Sequence, residues 1–262
     1  MFERVLIAYD EARPDGSLIF AAMSVTDPRR ASLTVLSVRA DGSGGSGLTL
    51  AAERLGRAGY RARIRVRLGT GPRVAEEVVR AMADCRPDLV VLGSRGLESF
   101  ENLVEGSVTQ EVLAHAGCPV LIARGKADPS APGLLLLAYD DSGHSQRAAG
   151  IAGKLARALG AEIRVISITQ PLVAAGHSAS DSSASRQLDE LVAGLGSEVV
   201  TSGSVKESSA GKARAIVETA ELAGADMIVM GSRGLSRIAG AVIGSVSHEV
   251  IQLWRGQVLL VP

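Results

Sequence analysis

Residues 88–113, DLVVLGSRGLESFENLVEGSVTQEVL, return 138 positions later as DMIVMGSRGLSRIAGAVIGSVSHEVI at residues 226–251. The two stretches align without a gap and share 13 of 26 residues. An internal repeat constrains a fold more tightly than composition does, because both copies must form the same supersecondary unit. The openings of the copies also answer each other: RVLIAYDEA at residues 4–12 and LLLLAYDDS at 134–142 stand 130 positions apart. The larger offset downstream implies a net insertion in the second copy. Two polar stretches could hold it, TSGSVKESSAGKA at 201–213 and the Ser-rich GHSASDSSAS at 176–185. The linker GKADPSAPG at 125–133 is rich in Pro, Gly and Ser. Domains are therefore expected at residues 1–126 and 132–262.

Each copy alternates short aliphatic runs with helical patterns. Strands are expected at 5–9, 33–38, 62–67, 89–92 and 120–123, and again at 134–139, 163–168, 198–202, 227–230 and 258–261. Helices are expected at 17–24, 48–58, 73–84 and 107–116, then at 144–159, 185–195, 212–223 and 245–253. Apolar residues make up 46% of the chain but aromatics only 3%, so the strands are built from Val, Leu, Ile and Ala. Such runs suit a parallel sheet covered on both faces. The expected fold is α/β, with two doubly wound five-stranded parallel-sheet domains in tandem. Such sheets bind ligands at the carboxyl ends of their strands, where the strand order reverses.

Both repeats carry the spacing Gly-x2-Gly-x9-Gly-Ser. The first set is Gly93, Gly96, Gly106 and Ser107; the second is Gly231, Gly234, Gly244 and Ser245. The first glycine of each set sits at the exit of an apolar strand, where it would permit positive φ and close approach of a ligand. The final Gly-Ser precedes an amphipathic helix, continued by Val108 or Val246. Ser is a good N-cap, and a helix amino end offers free N–H groups and a positive dipole end. Oriented amides beside a hydroxyl make a phosphate cradle. It is not a P-loop, since no Gly-Lys-Ser/Thr follows. It is not the dinucleotide fingerprint either, whose spacing is shorter and which lies on the first strand.

With these motifs, each copy resembles a universal stress protein domain of the ATP-binding subgroup, and the likeness spans nearly the whole chain as a tandem pair. It includes the first strand ending in Asp10 or Asp140 and the closing CPVLIAR at residues 118–124. The resemblance implies ATP, or another adenine nucleotide, across the carboxyl edge of each sheet, with Mg²⁺ as a plausible companion of the triphosphate. It implies that the glycine motif and its Ser hold phosphates and ribose. Asp10 and Val38 in the first copy, and Asp140 and Ile168 in the second, would take the adenine end. Arg95 and Arg233, inside GSRG, could approach a phosphate, although a solvated Arg is an equal reading. The resemblance also implies an intramolecular pseudo-dimer through strands 120–123 and 258–261, and a possible homodimer. The first copy departs from the family's usual opening: it reads DEARPDGS where the second reads DDSGHS, and its first helix stops short of Pro28. Its inter-glycine segment LESFENLVE holds three glutamates where LSRIAGAVI holds none. Acids near a polyanion favour the second site.

Twenty-eight basic residues balance 28 acidic ones, so no global field recruits nucleic acid or an anionic membrane. No apolar run approaches bilayer length, and the charged start MFERV does not read as a signal peptide. Cys85 and Cys118 form neither a disulfide framework nor a metal set, and a cytoplasmic location is the default. His115 reads as an inner-face packing residue, His144 and His248 fall near the phosphate end, and His177 lies in a loop. No His/carboxylate constellation recurs in both copies, so acid–base catalysis has weak support. The expected function is a nucleotide-dependent stress-response regulator. Its rivals are a slow ATPase acting through Ser107 or Ser245, and a scaffold whose glycines serve backbone geometry alone. Asp88 and Asp226 are expected to cap the starts of strands, away from the ligand edge.

Overall fold

The computed structural model describes residues 1–9, 16–39, 45–70, 73–93, 108–124, 129–169, 179–196, 198–233 and 243–262. The chain divides into two compact units, chiefly Met1–Ala131 and Pro132–Trp254 with Val258–Val261. In the first unit the order is β1 (Arg4–Ala8), α1 (Ser17–Ser24), β2 (Ser32–Arg39), α2 (Ser46–Arg57), β3 (Arg61–Leu68), α3 (Arg73–Cys85), β4 (Leu89–Gly93), α4 (Val108–His115) and β5 (Val120–Ala123). The strands lie in the order β3-β2-β1-β4-β5, and their pairs are parallel. The second unit runs β6 (Leu134–Ala138), α5 (Gly143–Leu159), β7 (Glu162–Thr169), α6 (Ala179–Leu195), β8 (Val200–Glu207), α7 (Lys212–Ala223), β9 (Met227–Gly231), α8 (Ser245–Leu253) and β10 (Gln257–Val261). Its strand order, β10-β9-β6-β7-β8, is the same arrangement. The doubly wound α/β fold is thus present twice.

The strand cores are the aliphatic runs. Leu6, Ile7, Leu33, Leu135 and Leu136 are among the largest fully buried side chains. Each such burial contributes about 1.5–3 kcal/mol before conformational entropy is counted. At the opposite edge from the ligand end, Asp88 and Asp226 do the same job in the two units. The Asp88 carboxylate accepts from the N–H groups of Glu3 and Arg4, at 3.1 and 2.9 Å. That of Asp226 accepts from Gly133 and Leu134, at 2.8 and 3.0 Å. Each ties the entry of the fourth strand to the entry of the first.

Two expectations need correction. β8 continues through Glu207, so most of the polar stretch at 201–213 is strand. The added length of the second unit lies between β7 and β8, the interval that holds the Ser-rich alternative at 176–185. There α6 has 17 residues and its counterpart α2 has 12. Residues 179–185 of the Ser-rich segment supply the first turns of α6. The alternation Val205, Lys206, Glu207 is short and polar because β8 lies at the end of the strand order, so composition there mimicked a loop. His115 is also not an inner-face residue. Its side chain is 51% exposed, and Nδ1 lies 2.9 Å from the Glu111 carbonyl.

The first helices of the two units differ as their sequences suggest. α1 has 8 residues and starts from Gly16, whose φ of 81° is left-handed and which supplies no side-chain cap. α5 has 17, and the Ser142 side chain accepts from the Ser145 N–H. Among the described residues, no helix is long and apolar enough to cross a membrane.

Candidate functional site

In the second unit the strand order reverses between β6 and β9. The chain leaves β6 for α5 on one side and leaves β9 for α8 on the other. The carboxyl ends of these neighbours therefore open a crevice that neither crossover covers. A cavity of about 410 Å³ lies there, within the range of small-molecule sites. Its apolar wall includes Ile166, Ile168, Ile216 and Met230. Its polar wall includes Asp140, Lys212, Arg233 and the first turn of α8.

The α8 end of the cavity is held by short local bonds. The Gly244 N–H donates to the Ser232 carbonyl at 2.8 Å. The Ser247 hydroxyl donates to the Gly231 carbonyl at 2.9 Å. These two bonds dock the amino end of α8 against the exit of β9. The expectation that Ser245 caps this helix is incorrect. Gly244 is the N-cap, at φ −68° and ψ 149°, and Ser245 is the first helical residue. Among the described residues, no side chain caps the helix, and its first-turn N–H groups, which no helix carbonyl can satisfy, lie at the cavity. That is a better anion site than a self-capped helix.

The strand-exit glycines also work differently from the expectation. Neither Gly93 nor Gly231 has positive φ. A Cβ on Gly231 would stand 2.7 Å from the His144 Cβ and 2.9 Å from the Arg233 carbonyl oxygen. Gly231 is therefore required by the close approach of α5 to β9, and the space beside it is filled by the chain itself. Among the described residues, a Cβ on Gly93 would meet Leu18 Cδ2, at an ordinary 3.9 Å.

On the α5 side, a hydrogen-bonded turn orients the carboxylate. The Ser142 N–H donates to Asp140 Oδ1 at 3.2 Å, and the Asp140 N–H donates to Ser145 Oγ at 3.4 Å. Asp141 sits at φ 60°, rare for a non-glycine residue. Three side chains donate to its carboxylate: the Tyr139 hydroxyl at 2.7 Å, Gln146 at 3.0 Å and Gln187 of α6 at 2.9 Å. Burial and then the Asp141 carboxylate push the Tyr139 phenol up to about 12, so it stays a donor at neutral pH. His144 titrates below its ordinary value, first through burial, then through the Arg147 and Arg233 cations, with Asp140 opposing. His248 is also lowered, chiefly by burial. It is buried within α8 and does not line the cavity, so it packs rather than faces a ligand.

Seven of the expected residues meet at this one cavity: Asp140 and Ile168 from the adenine set, Gly231 and Arg233 from the strand exit, and Gly244, Ser245 and Val246 from the helix mouth. Gly234 lies outside the described residues. In the first unit, Asp10, Arg95, Gly96, Gly106 and Ser107 also lie outside them. Val38, Gly93 and Val108 stand at the end of β2, the end of β4 and the start of α4. Sequence reading missed Lys212, Ser145 and Ser247. Ser145 and Ser247 look like ordinary helix serines in sequence. Lys212 could have been found, because a lysine opening a helix that follows a strand must fall at the ligand edge.

The model for the universal stress protein family matches residues 1–124 and 134–262. A universal stress protein of Thermus aquaticus is 33% identical over 132 residues, covering 48% of this chain and 96% of that protein. Among solved structures, a universal stress protein from Archaeoglobus fulgidus superposes with a TM-score of 0.69 at 20% identity, covering 98% of this chain and 95% of its own. A functionally unknown protein from Pseudomonas aeruginosa gives 0.63 at 19% identity, covering 99% and 92%.

Proposed function

The chain belongs to the universal stress protein family, and on that premise we propose that its second domain binds ATP or another adenine nucleotide in the cavity at the ends of β6 and β9. One observation carries the reading: Asp140, Ile168, Gly231, Arg233, Gly244 and Ser245, separated by up to 105 positions in the chain, line a single cavity. The chemistry of the lining fits such a ligand. The aliphatic wall of Ile166, Ile168, Ile216 and Met230 suits the faces of a purine. Asp140 can accept from an exocyclic amine. The uncapped amino end of α8, with Arg233 and Lys212, suits phosphate oxygens. Among the described residues, no three His, Cys, Asp or Glu side chains gather as metal ligands. Any Mg²⁺ would therefore be held chiefly by phosphate oxygens and water, as is usual for this ion.

Binding, rather than turnover, is the proposed activity. It would bias the conformation or association of the chain, in keeping with a nucleotide-dependent stress regulator. The first domain carries the same motif, with Gly93, Gly96, Gly106 and Ser107, and is proposed as a second, weaker site. Isothermal titration of the full chain with ATP, AMP and cyclic AMP tests the reading. Saturable heat is expected with at least one of them, and it should be lost from the second site in Gly244→Val. No heat with any of the three would leave the glycines as backbone devices only. Phosphate release from ATP, compared between wild type and Gly244→Val, tests the hydrolytic rival. Sedimentation with and without nucleotide reads any change in assembly.

A further inference from the structure

α7 and α8 pack against each other, and both begin at the cavity. Lys212 is the first residue of α7 as Ser245 is the first of α8, and both line it. The two helices share a further feature: each has a glycine N-cap and no side-chain cap. Gly211 stands at φ 101° and ψ 148°, a conformation essentially confined to glycine. A Cβ there would meet no atom of the described residues within 4 Å. Gly211 is thus required by the backbone path that delivers Lys212 to the cavity, not by packing.

Lys212 is half-buried, and among the described side chains no carboxylate pairs with it. Its neighbour Lys206, by contrast, faces Glu218 at 3.9 Å. An anionic ligand in the cavity would give the Lys212 ammonium a counter-charge. Among the described residues, the lining holds two cations, Lys212 and Arg233, against the single carboxylate of Asp140. The position also recurs. Arg73 opens α3 after the same short connection from β3 that joins β8 to Lys212. The gap-free alignment of the glycine motifs hides this match, because α3 is one residue longer than α7.

We propose that Lys212 is a specificity-determining residue of the second-domain pocket: its ammonium takes a phosphate oxygen of the ligand and selects phosphorylated nucleotides over nucleosides. The inference rests on the nucleotide reading and adds to it a second cationic pole, on a different helix from the glycine motif. A flexible four-carbon stem lets the ammonium follow a phosphate as a point charge.

The test is titration of the full chain, as wild type, Lys212→Met and Lys212→Arg, with adenosine, AMP, ATP and inorganic tripolyphosphate at two salt concentrations. Trp254 fluorescence confirms that each variant is folded. Lys212→Met should weaken ATP and tripolyphosphate by about tenfold, the scale of one charge-assisted contact. It should leave adenosine unchanged, and Lys212→Arg should recover most of the loss. The loss should shrink at high salt. Equal weakening of adenosine and ATP, or no weakening of either by a variant whose wild type binds both, would overturn the proposal alone. If wild type binds tripolyphosphate through Lys212 but no nucleotide, the cationic pole stands and the nucleotide reading falls. If wild type binds none of the four, both fall.

Discussion

Replacing Gly231 with alanine separates the two roles that a strand-exit glycine can have. The added Cβ would lie 2.7 Å from the His144 Cβ, 2.9 Å from the Arg233 carbonyl oxygen and 3.0 Å from the His144 carbonyl carbon. None of these atoms is the far end of a flexible side chain, so relief requires the first turn of α5 to move. Overpacking of this kind costs about 1–3 kcal/mol. Against it, alanine restricts the unfolded chain and returns about 0.4–1 kcal/mol. The net expectation is a loss of about 1–2 kcal/mol in the second unit. Trp254, the only tryptophan in the chain, is 8% exposed at the end of α8 and reports on that unit. With a urea m-value of about 2 kcal/mol/M, its unfolding midpoint should fall by roughly 0.5–1 M. The matched control is Gly93→Ala, where the new Cβ meets, among the described residues, Leu18 at an ordinary distance. It should leave the Trp254 transition in place and keep or slightly raise the stability of the first unit by circular dichroism. A Gly231→Ala protein that unfolds at the wild-type midpoint would refute the packing account and return the glycine to a ligand-approach role.

Other perturbations probe the frame of the cavity. Ser142→Ala removes the acceptor for the Ser145 N–H, at 3.2 Å, and should cost about 1 kcal/mol by denaturant titration. Restoring a cap with Ser142→Asp should return most of it. His144, held low by burial and by Arg147 and Arg233, contributes stability that is fully present above about pH 6.5 and is lost as pH falls through its depressed folded value. An anion that neutralises Arg233 should raise that value, so binding should take up a proton. Imidazole NMR with and without ATP reads this, and an unmoved His144 titration would count against a phosphate beside Arg233. Burial, and then Asp88, push the Cys118 thiol up to about 11. It should resist maleimide at pH 8 until the chain is unfolded. Its contribution to stability is present below about pH 9 and lost as pH rises through about 11, which a Cys118→Ala comparison at pH 8 and pH 11 would expose.

Much of the fold was legible because it rests on local, periodic signals. The aliphatic runs at 134–138 and 227–230 can be buried on both faces only in a covered parallel sheet. α7 and α8 begin where glycine precedes an amphipathic pattern. The repeat itself required two copies of one topology. The pairing of Asp140 with Gly231 and Ser245 at one edge follows from strand order, which the family resemblance carried and periodicity alone could not.

What stayed hidden depends on distances between elements far apart in the chain. Sequence placed a glycine at 231, but only the approach of His144 in α5 decided that its role is packing. Sequence placed Ser245 at a helix start, but only the bonds from Gly244 to Ser232 and from Ser247 to Gly231 decided that glycine is the cap and the helix end is open. Lys212 is one of four lysines in the chain, and its place at the cavity shows only once α7 is set beside α8. The chain by itself determined which segments are strands and helices, since that is a matter of backbone propensity and the spacing of apolar side chains. Tertiary structure decided which polar groups share a cavity, because that is fixed by how closely non-neighbouring elements pack and not by any residue's own preference.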